Sequence, residues 1–175
     1  AVYIIREVLR GLAYAHHAPG IRLVHRDVSP HNILLSFTGE VKLADFGLAK
    51  STLSTVHTEA GVVYGKLSYM SPEQARGDDD LDARTDIWSV GVIWYELLTG
   101  RQPFDATQLK ALFDSILRDD PPPLTLFAPD VPAAFAQAIH RALAKDRARR
   151  FASMKDFLDA LTAAGAPAEP KATAP

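Results

Sequence analysis

The chain has 175 residues, of which 47% are hydrophobic, and a formal net charge of −2 at pH 7. This length and composition suit one domain with a buried core, and the small charge gives no basic surface for nucleic acid. The sequence has no cysteine for disulfides or thiolate metal sites and no run of roughly 18 apolar residues that could span a bilayer. We therefore expect a cytoplasmic protein without a nucleic-acid partner or a membrane segment.

The first predicted element is an amphipathic helix over residues 2–16, where apolar side chains recur at helical spacing. Pro19 and Gly20 follow it and are typical of a helix end. Two histidines, His16 and His17, stand near this end, and we interpret both as solvated. No histidine pair has the helical spacing of a metalloprotease zinc site.

A short hairpin with polar side chains at both ends comes next. Residues 33–36 and 41–44 are predicted strands joined by a turn-rich segment. A hairpin this short returns Asp45 close to Asn32, and Asp27 lies on the loop that precedes the first strand. These carboxylate and amide oxygens are ligands that suit Mg²⁺. The sequence therefore predicts a pocket with grouped oxygen ligands at the hairpin.

The rest of the chain is predicted to be mostly helical. Residues 48–70 are polar and without periodicity, and a loop of this length is usually functional or disordered. Residues 86–98 are apolar on nearly all sides, which is typical of a helix buried at the centre of a domain. Amphipathic helices are predicted over residues 109–117, 135–143 and 154–161. The Ala- and Pro-rich residues 165–175 are predicted to form a disordered tail.

Three short motifs follow one another along this layout. They are H-R-D-x-x-x-x-N at residues 25–32, D-F-G at residues 45–47 and S-P-E at residues 71–73. In this order they resemble the catalytic loop, the metal-binding loop and the end of the activation segment of eukaryotic-type protein kinases. The resemblance covers roughly residues 2–161, and it is greater to bacterial serine/threonine kinases than to tyrosine kinases.

The resemblance implies the protein-kinase-like α+β fold, of which this chain holds the mainly helical C-terminal lobe with its short catalytic hairpin. We expect this partial kinase domain to occupy residues 1–164. The implied reaction transfers the γ-phosphoryl group of ATP to a serine or threonine hydroxyl of a protein substrate, with Mg²⁺ as the metal.

The resemblance also implies roles for individual residues. Asp27 matches the carboxylate that orients the substrate hydroxyl and accepts its proton, and Asn32 and Asp45 match the metal ligands that place Mg²⁺ on the nucleotide phosphates. Leu34 matches the residue under the adenine ring. Each Asp or Asn taken alone could instead be a turn or capping residue. Supporting roles are implied for His25 and Phe46 in an apolar stack, for Asp86 as the holder of the catalytic-loop backbone, and for Glu73 with Arg150 as a buried ion pair. Gly47 is implied to have a structural or regulatory role.

Regulation by phosphorylation is implied by Arg26, because kinases with an arginine at this position often use it to hold a phosphate on the activation segment. Thr58 is the preferred acceptor, followed by Thr55 and Ser54, although all three could be ordinary loop hydroxyls. The remaining charges near the ion pair are interpreted as a solvated face: Arg141, Lys145, Arg147, Arg149, Asp78, Asp79, Asp80 and Asp82.

Two positions depart reciprocally from the kinase pattern. Ser29 stands where such kinases usually carry a lysine that contacts the transferring phosphate. Lys66 stands where they usually carry a threonine that bonds to the catalytic aspartate. We hypothesise that Lys66 reaches back to Asp27 and the γ-phosphate and so restores the charge; the alternative is a site that has decayed.

The glycine-rich loop, the strand lysine and the partner glutamate of a kinase N-terminal lobe are not found in the sequence, and we expect them upstream in a longer protein. Half of the nucleotide cleft would then lie outside this chain, which is expected to be inactive by itself. The competing hypothesis is a non-catalytic, pseudokinase-like regulatory or protein-binding module.

Overall fold

The computed structural model describes residues 1–19, 23–46 and 65–165. The predicted tail beyond residue 165 and the loop residues 47–64 lie outside them. The elements are helix α1 (Val2–His17), strands β1 (Ile33–Leu35) and β2 (Val41–Leu43), and helices α2 (Pro72–Arg76), α3 (Arg84–Thr99), α4 (Leu109–Arg118), α5 (Ala133–Ala142) and α6 (Met154–Ala163). Residues 65–67 are also helical, and 3₁₀ turns occupy Pro30–Asn32, Leu124–Leu126 and Arg147–Arg149. This mostly helical layout with one small sheet confirms the predicted fold.

Helix α3 lies at the centre of the domain, as its apolar sequence predicted. Trp88 and Trp94 are 0% exposed, and ring contacts join them to residues of neighbouring segments. Gly91 allows α3 to approach α5 closely, because a Cβ at this position would lie 2.9 Å from the Cβ of Ala142. The helix ends at Gly100, whose φ of 69° is the left-handed conformation that favours glycine. No helix in the described ranges is long and apolar enough to cross a membrane.

The hairpin packs on α1. Strands β1 and β2 are antiparallel, with Ile33 opposite Leu43, and both residues pack against the main hydrophobic core. The hydroxyl of Tyr3 on α1 donates a hydrogen bond of 2.9 Å to the carbonyl of Gly39 in the hairpin turn. Helix α1 therefore holds both the base and the tip of the hairpin that carries the predicted site.

A buried ion pair ties α2 to the segment before α6. The guanidinium of Arg150 donates to both carboxylate oxygens of Glu73, at 2.7 and 2.8 Å, and the two side chains are 0% and 1% exposed. Thr85 at the start of α3 donates to the same carboxylate, and Arg150 also donates to the backbone carbonyls of Ala144 and Arg84. Both charges are thus satisfied by hydrogen bonds, which a buried ion pair requires.

The interpretation of the nearby charges as a solvated face is wrong for Lys145. Its ammonium lies 3.9 Å from the ring centroid of Phe104 and 5.0 Å from that of Trp88, and it donates to the carbonyls of Ser115 and Ile116 near the end of α4. Burial lowers the pKa of this lysine to about 8. The helical pattern of α5 ends before residue 145, so periodicity could not reveal that the following turn folds back over these rings.

Removing one member of the ion pair should destabilise the protein strongly. Arg150→Met leaves the carboxylate of Glu73 buried without its cation, and we expect the free energy of unfolding to fall by about 3–5 kcal/mol in urea denaturation. Arg149→Met is the matched control, because Arg149 is exposed and should change stability by less than ~0.5 kcal/mol. Equal effects of the two substitutions would contradict the assignment.

The same pair should make stability depend on pH. Burial raises the pKa of Glu73, but hydrogen bonds from Arg150, the charge of Arg150 and the Thr85 hydroxyl outweigh it and leave the pKa below its ordinary value of 4.5. A lowered pKa means that the folded state holds fewer protons than the unfolded state, so this stabilisation is complete above pH 4.5 and is lost as the pH falls through the lower folded value. Glu73→Gln should reduce the slope of unfolding free energy against pH below pH 4.5. An unchanged slope would contradict the role of Glu73 in this pH dependence.

Candidate active site

The loop between α1 and β1 is held by one buried carboxylate on the central helix. Asp86, in the first turn of α3, is 0% exposed. One of its oxygens accepts from the backbone N–H of Arg26 and the other from that of His25, each at 2.8 Å. Because a buried carboxylate is costly without donors, these hydrogen bonds determine the backbone position of the loop.

A histidine completes the environment of Asp86, and here the sequence interpretation is wrong. The Nε2 atom of His16 lies 2.7 Å from the same oxygen that accepts from His25, and His16 is only 9% exposed. His17 is exposed, as expected. A signal was present in the sequence, since His16 lies four residues after Leu12 and so continues the buried stripe of α1.

Two residues of the site have a strained backbone. Arg26 has a φ of 66° and Asp45 a φ of 59°, and neither is a glycine. Such left-handed conformations cost on the order of 1–3 kcal/mol and persist only where the surroundings impose them. At Arg26 the surroundings include the Asp86 hydrogen bond to its N–H and a hydrogen bond of 2.7 Å from the Gln74 side chain to its carbonyl.

His25 joins the loop to the end of the hairpin. Its Nε2 atom lies 2.8 Å from the carbonyl oxygen of Ala44, and its ring centroid lies 4.7 Å from that of Phe46. The N–H of Ala44 in turn donates to the carbonyl of Asn32 at 2.8 Å. These contacts bring Asp45, which follows Ala44, next to the residues that precede β1.

Two donors converge on one oxygen of Asp27. The amide nitrogen of Asn32 lies 3.0 Å from Oδ2 of Asp27 and 2.7 Å from its backbone carbonyl. The ammonium of Lys66 lies 3.1 Å from the same Oδ2. The side chains of Asp27 and Lys66 are 23% and 38% exposed, so the pair stays accessible from outside. The contact between Lys66 and Asp27 that the sequence suggested is therefore present, and the second oxygen of Asp27 has no hydrogen-bond partner among the described residues.

Ser29 does not join this group. It is 1% exposed, and its hydroxyl has no hydrogen-bond partner among the described residues. The side chain is buried beneath the loop, where it cannot substitute for a charged group. Of the two residues in the hypothesised exchange, Lys66 is therefore the one that can supply charge at Asp27.

Asn32 and Asp45 have the chemistry of a magnesium site. The amide nitrogen of Asn32 is used by Asp27, which leaves its oxygen as a ligand, and Asp45 is exposed. No group of three or more His, Asp or Glu residues that could enclose a metal occurs in the described ranges. Mg²⁺ usually takes only one or two protein ligands and completes its octahedron with phosphate oxygens and water, so this small donor set fits it.

The other predicted site residues have different surroundings. Leu34 on β1 is 55% exposed. Gly47 and the candidate acceptors Thr58, Thr55 and Ser54 lie outside the described residues.

Sequence reasoning missed a cluster that fixes the segment carrying Lys66. The hydroxyl of Tyr69 donates to Glu96 of α3 at 2.5 Å, and the side chain of Gln102 donates to that hydroxyl. Burial and the Glu96 contact raise the pKa of Tyr69. Ser89 of α3 donates to the carbonyl of Tyr69 at 2.8 Å. A glutamate within the apolar sequence of α3 was the available signal.

Comparison with known proteins identifies the class. The model of the family described as protein kinase domain matches residues 1–161, and the chain belongs to this family. The resemblance inferred from the three motifs is thus confirmed.

Individual relatives are bacterial. The chain is 44% identical over 151 residues to the serine/threonine-protein kinase PknL of Mycobacterium tuberculosis, covering 86% of this chain and 37% of PknL. It is 37% identical over 158 residues to the probable serine/threonine-protein kinase PknB of Lactococcus lactis, covering 90% of this chain and 25% of that protein. It is also 37% identical over 163 residues to the tyrosine-protein kinase MasK of Myxococcus xanthus, with the same two coverages of 90% and 25%. The chain therefore spans between a quarter and about two fifths of the length of these relatives.

The buried role of His16 can be tested against its neighbour. His16→Leu removes one partner of the buried Asp86 carboxylate, and we expect the free energy of unfolding to fall by about 1–3 kcal/mol. His17→Leu is the control at the adjacent, exposed position and should be nearly neutral. Chemical denaturation of both variants measures the difference, and a neutral His16→Leu would show that the contact with Asp86 adds nothing to stability.

Proposed function

We propose that the chain is the large lobe of an ATP-dependent protein kinase that phosphorylates serine or threonine hydroxyls. The observation that most supports this proposal is the arrangement at Asp27. One carboxylate oxygen accepts from Asn32 and Lys66, and the other, which no described residue contacts by a hydrogen bond, is assigned to the substrate hydroxyl. Phosphoryl transfer depends mainly on positioning and charge stabilisation, and a carboxylate held in this way supplies the positioning.

Each residue of the group has a distinct part in this proposal. Asp27 accepts a hydrogen bond from the substrate hydroxyl and takes its proton as the oxygen attacks phosphorus. Asn32 holds Asp27 through its amide nitrogen and offers its oxygen, together with the carboxylate of Asp45, to Mg²⁺. When bound, the metal neutralises charge on the phosphate oxygens. His25 and Asp86 act at a distance, by holding the backbone on which these side chains stand.

The nucleotide site is proposed to extend beyond the partial kinase domain of residues 1–164. Leu34 is assigned to the face of the adenine ring, and the opposite face and the phosphate grip to an N-terminal lobe upstream. The large exposed fractions of Leu34 and Leu35, 55% and 59%, support a covering segment at this edge. Without such a lobe we expect residues 1–175 to be inactive.

Control by phosphorylation is proposed on the basis of Arg26. Its backbone is held from both sides while its side chain is exposed, so a guanidinium is offered at the edge of the site. A phosphate on Thr58, or on Thr55 or Ser54, is the proposed bidentate partner.

A substitution at Asp27 tests the proposed activity. In the complete natural protein, Asp27→Asn should lower kcat by about 10²–10⁴-fold, because an amide cannot accept the proton. The affinity for ATP should stay nearly unchanged. Asp79→Asn is the control, since Asp79 is an exposed carboxylate in the segment between α2 and α3. Transfer of labelled phosphate from ATP to a general protein substrate measures both variants.

Two outcomes would redirect the proposal. Label recovered on tyrosine instead of serine or threonine would indicate a tyrosine kinase, as the relative MasK is named. Absence of transfer in the unmodified protein would favour the binding-module alternative. That alternative draws support from an open apolar groove of about 300 Å³ beside α1 and β1, lined in part by Ile4, Ile33, Leu35 and Leu97.

A further inference from the structure

The ammonium that contacts Asp27 comes from outside the loop of residues 25–32. The proposed function puts a phosphate beside Asp27, whose negative charge would repel it, whereas the charge of Asp45 would be offset by Mg²⁺ when the metal is bound. Residue 29 in the loop is a buried, uncharged serine. The cation in contact with Asp27 is Lys66, which comes from a different segment.

We propose that Lys66 contacts the transferring phosphoryl group and supplies, beside Asp27, the positive charge that residue 29 of the loop does not. The inference rests on the proposed kinase function. An ammonium has three donors, and the Asp27 contact uses one of them. The Lys66 side chain is 38% exposed, so its remaining donors can meet a phosphate oxygen without a rearrangement of the core. Lys66 thus joins the proton acceptor to the anion on which the reaction takes place.

The position of Lys66 is set by the same helix that holds Asp27. The carbonyl of Lys66 accepts from the N–H of Tyr69, and the carbonyl of Tyr69 accepts from Ser89 on α3. The Asp27 loop is held by Asp86 on the first turn of that helix. Both charges are therefore preorganised on one rigid element, which is the condition for a large electrostatic contribution to catalysis.

The proposed role of Lys66 adds no proton transfer to the reaction. The substrate oxygen bonds to the γ-phosphorus, the bond from that phosphorus to the β-bridging oxygen breaks, and ADP leaves with its electron pair. The hydroxyl proton goes to Asp27, while Lys66 keeps its own proton. A consequence follows for regulation: any displacement of residues 65–70 withdraws a cation from the phosphate and a donor from Asp27 in one movement.

The test uses the complete natural protein and two readouts, turnover and the ratio of ATP affinity to ADP affinity measured by calorimetry. Lys66→Thr should lower kcat by about 10²-fold, as the loss of one preorganised donor does. It should also reduce the preference for ATP over ADP by about tenfold, because the γ-phosphate loses a charged contact. Lys66→Arg should retain most of both. Lys110→Thr, at an exposed lysine on α4, is the control and should change neither.

The exchange itself provides a second test. Adding Ser29→Lys to Lys66→Thr returns a cation to the loop and should recover at least about tenfold in kcat, together with part of the ATP preference. Thermal melting of each variant checks folding, because Ser29 is buried. If the double variant has a lowered melting temperature, the comparison of Lys66→Arg with Lys66→Thr decides whether a cation at residue 66 is needed.

Three results would overturn the proposal: an unchanged Lys66→Thr, a folded double variant no better than the single one, or lost turnover with an unchanged ATP preference. The last would reduce Lys66 to a residue that only positions Asp27. Failure of the kinase function is recognised separately, since the unmodified protein would then bind nucleotide without transferring phosphate. The ATP-to-ADP ratio would still decide whether Lys66 meets the γ-phosphate.

Discussion

The carboxylate of Asp86 is the constraint on which the site depends. It is buried at the start of the central helix and receives hydrogen bonds from the backbone of His25 and Arg26, with His16 against the same group. Because an unpaired buried carboxylate costs several kcal/mol, the loop is held in the one geometry that supplies these donors. In that geometry the backbone of Arg26 is left-handed, which is unfavourable for a residue other than glycine. The same geometry sets the position of Asp27.

Helix α3 extends this control to the rest of the lobe. Thr85 contacts the Glu73–Arg150 pair, Ser89 holds the backbone of Tyr69, and Glu96 holds its hydroxyl. Segments far apart in sequence are thereby held by hydrogen bonds to one helix, whose apolar side chains are buried in the core. In the proposed kinase, the fixed positions of these segments would supply the positioning that phosphoryl transfer requires.

The contact at Asp27 joins two segments of the chain. The group at Asp27 draws its ammonium from residues 65–70 and not from its own loop, where Ser29 is buried and uncharged. The contact forms only when residues 65–70 lie against the loop of residues 25–32. In the proposed kinase, charge stabilisation and the docking of this segment would then be one event.

Local patterns in the sequence were sufficient for the central helix and the hairpin, and the resemblance of three motifs was sufficient for the family and for the contact between Lys66 and Asp27. Spacing and periodicity encode which face of an element is buried and where polar ligands follow a strand. They do not encode which distant group a buried polar side chain will meet. His16 and Asp86 are 70 residues apart, and Lys145 finds its rings and carbonyls only after α4 and α5 have packed. Those partners were decided by tertiary packing, because a buried polar group must satisfy its hydrogen bonds with whatever the fold brings within reach.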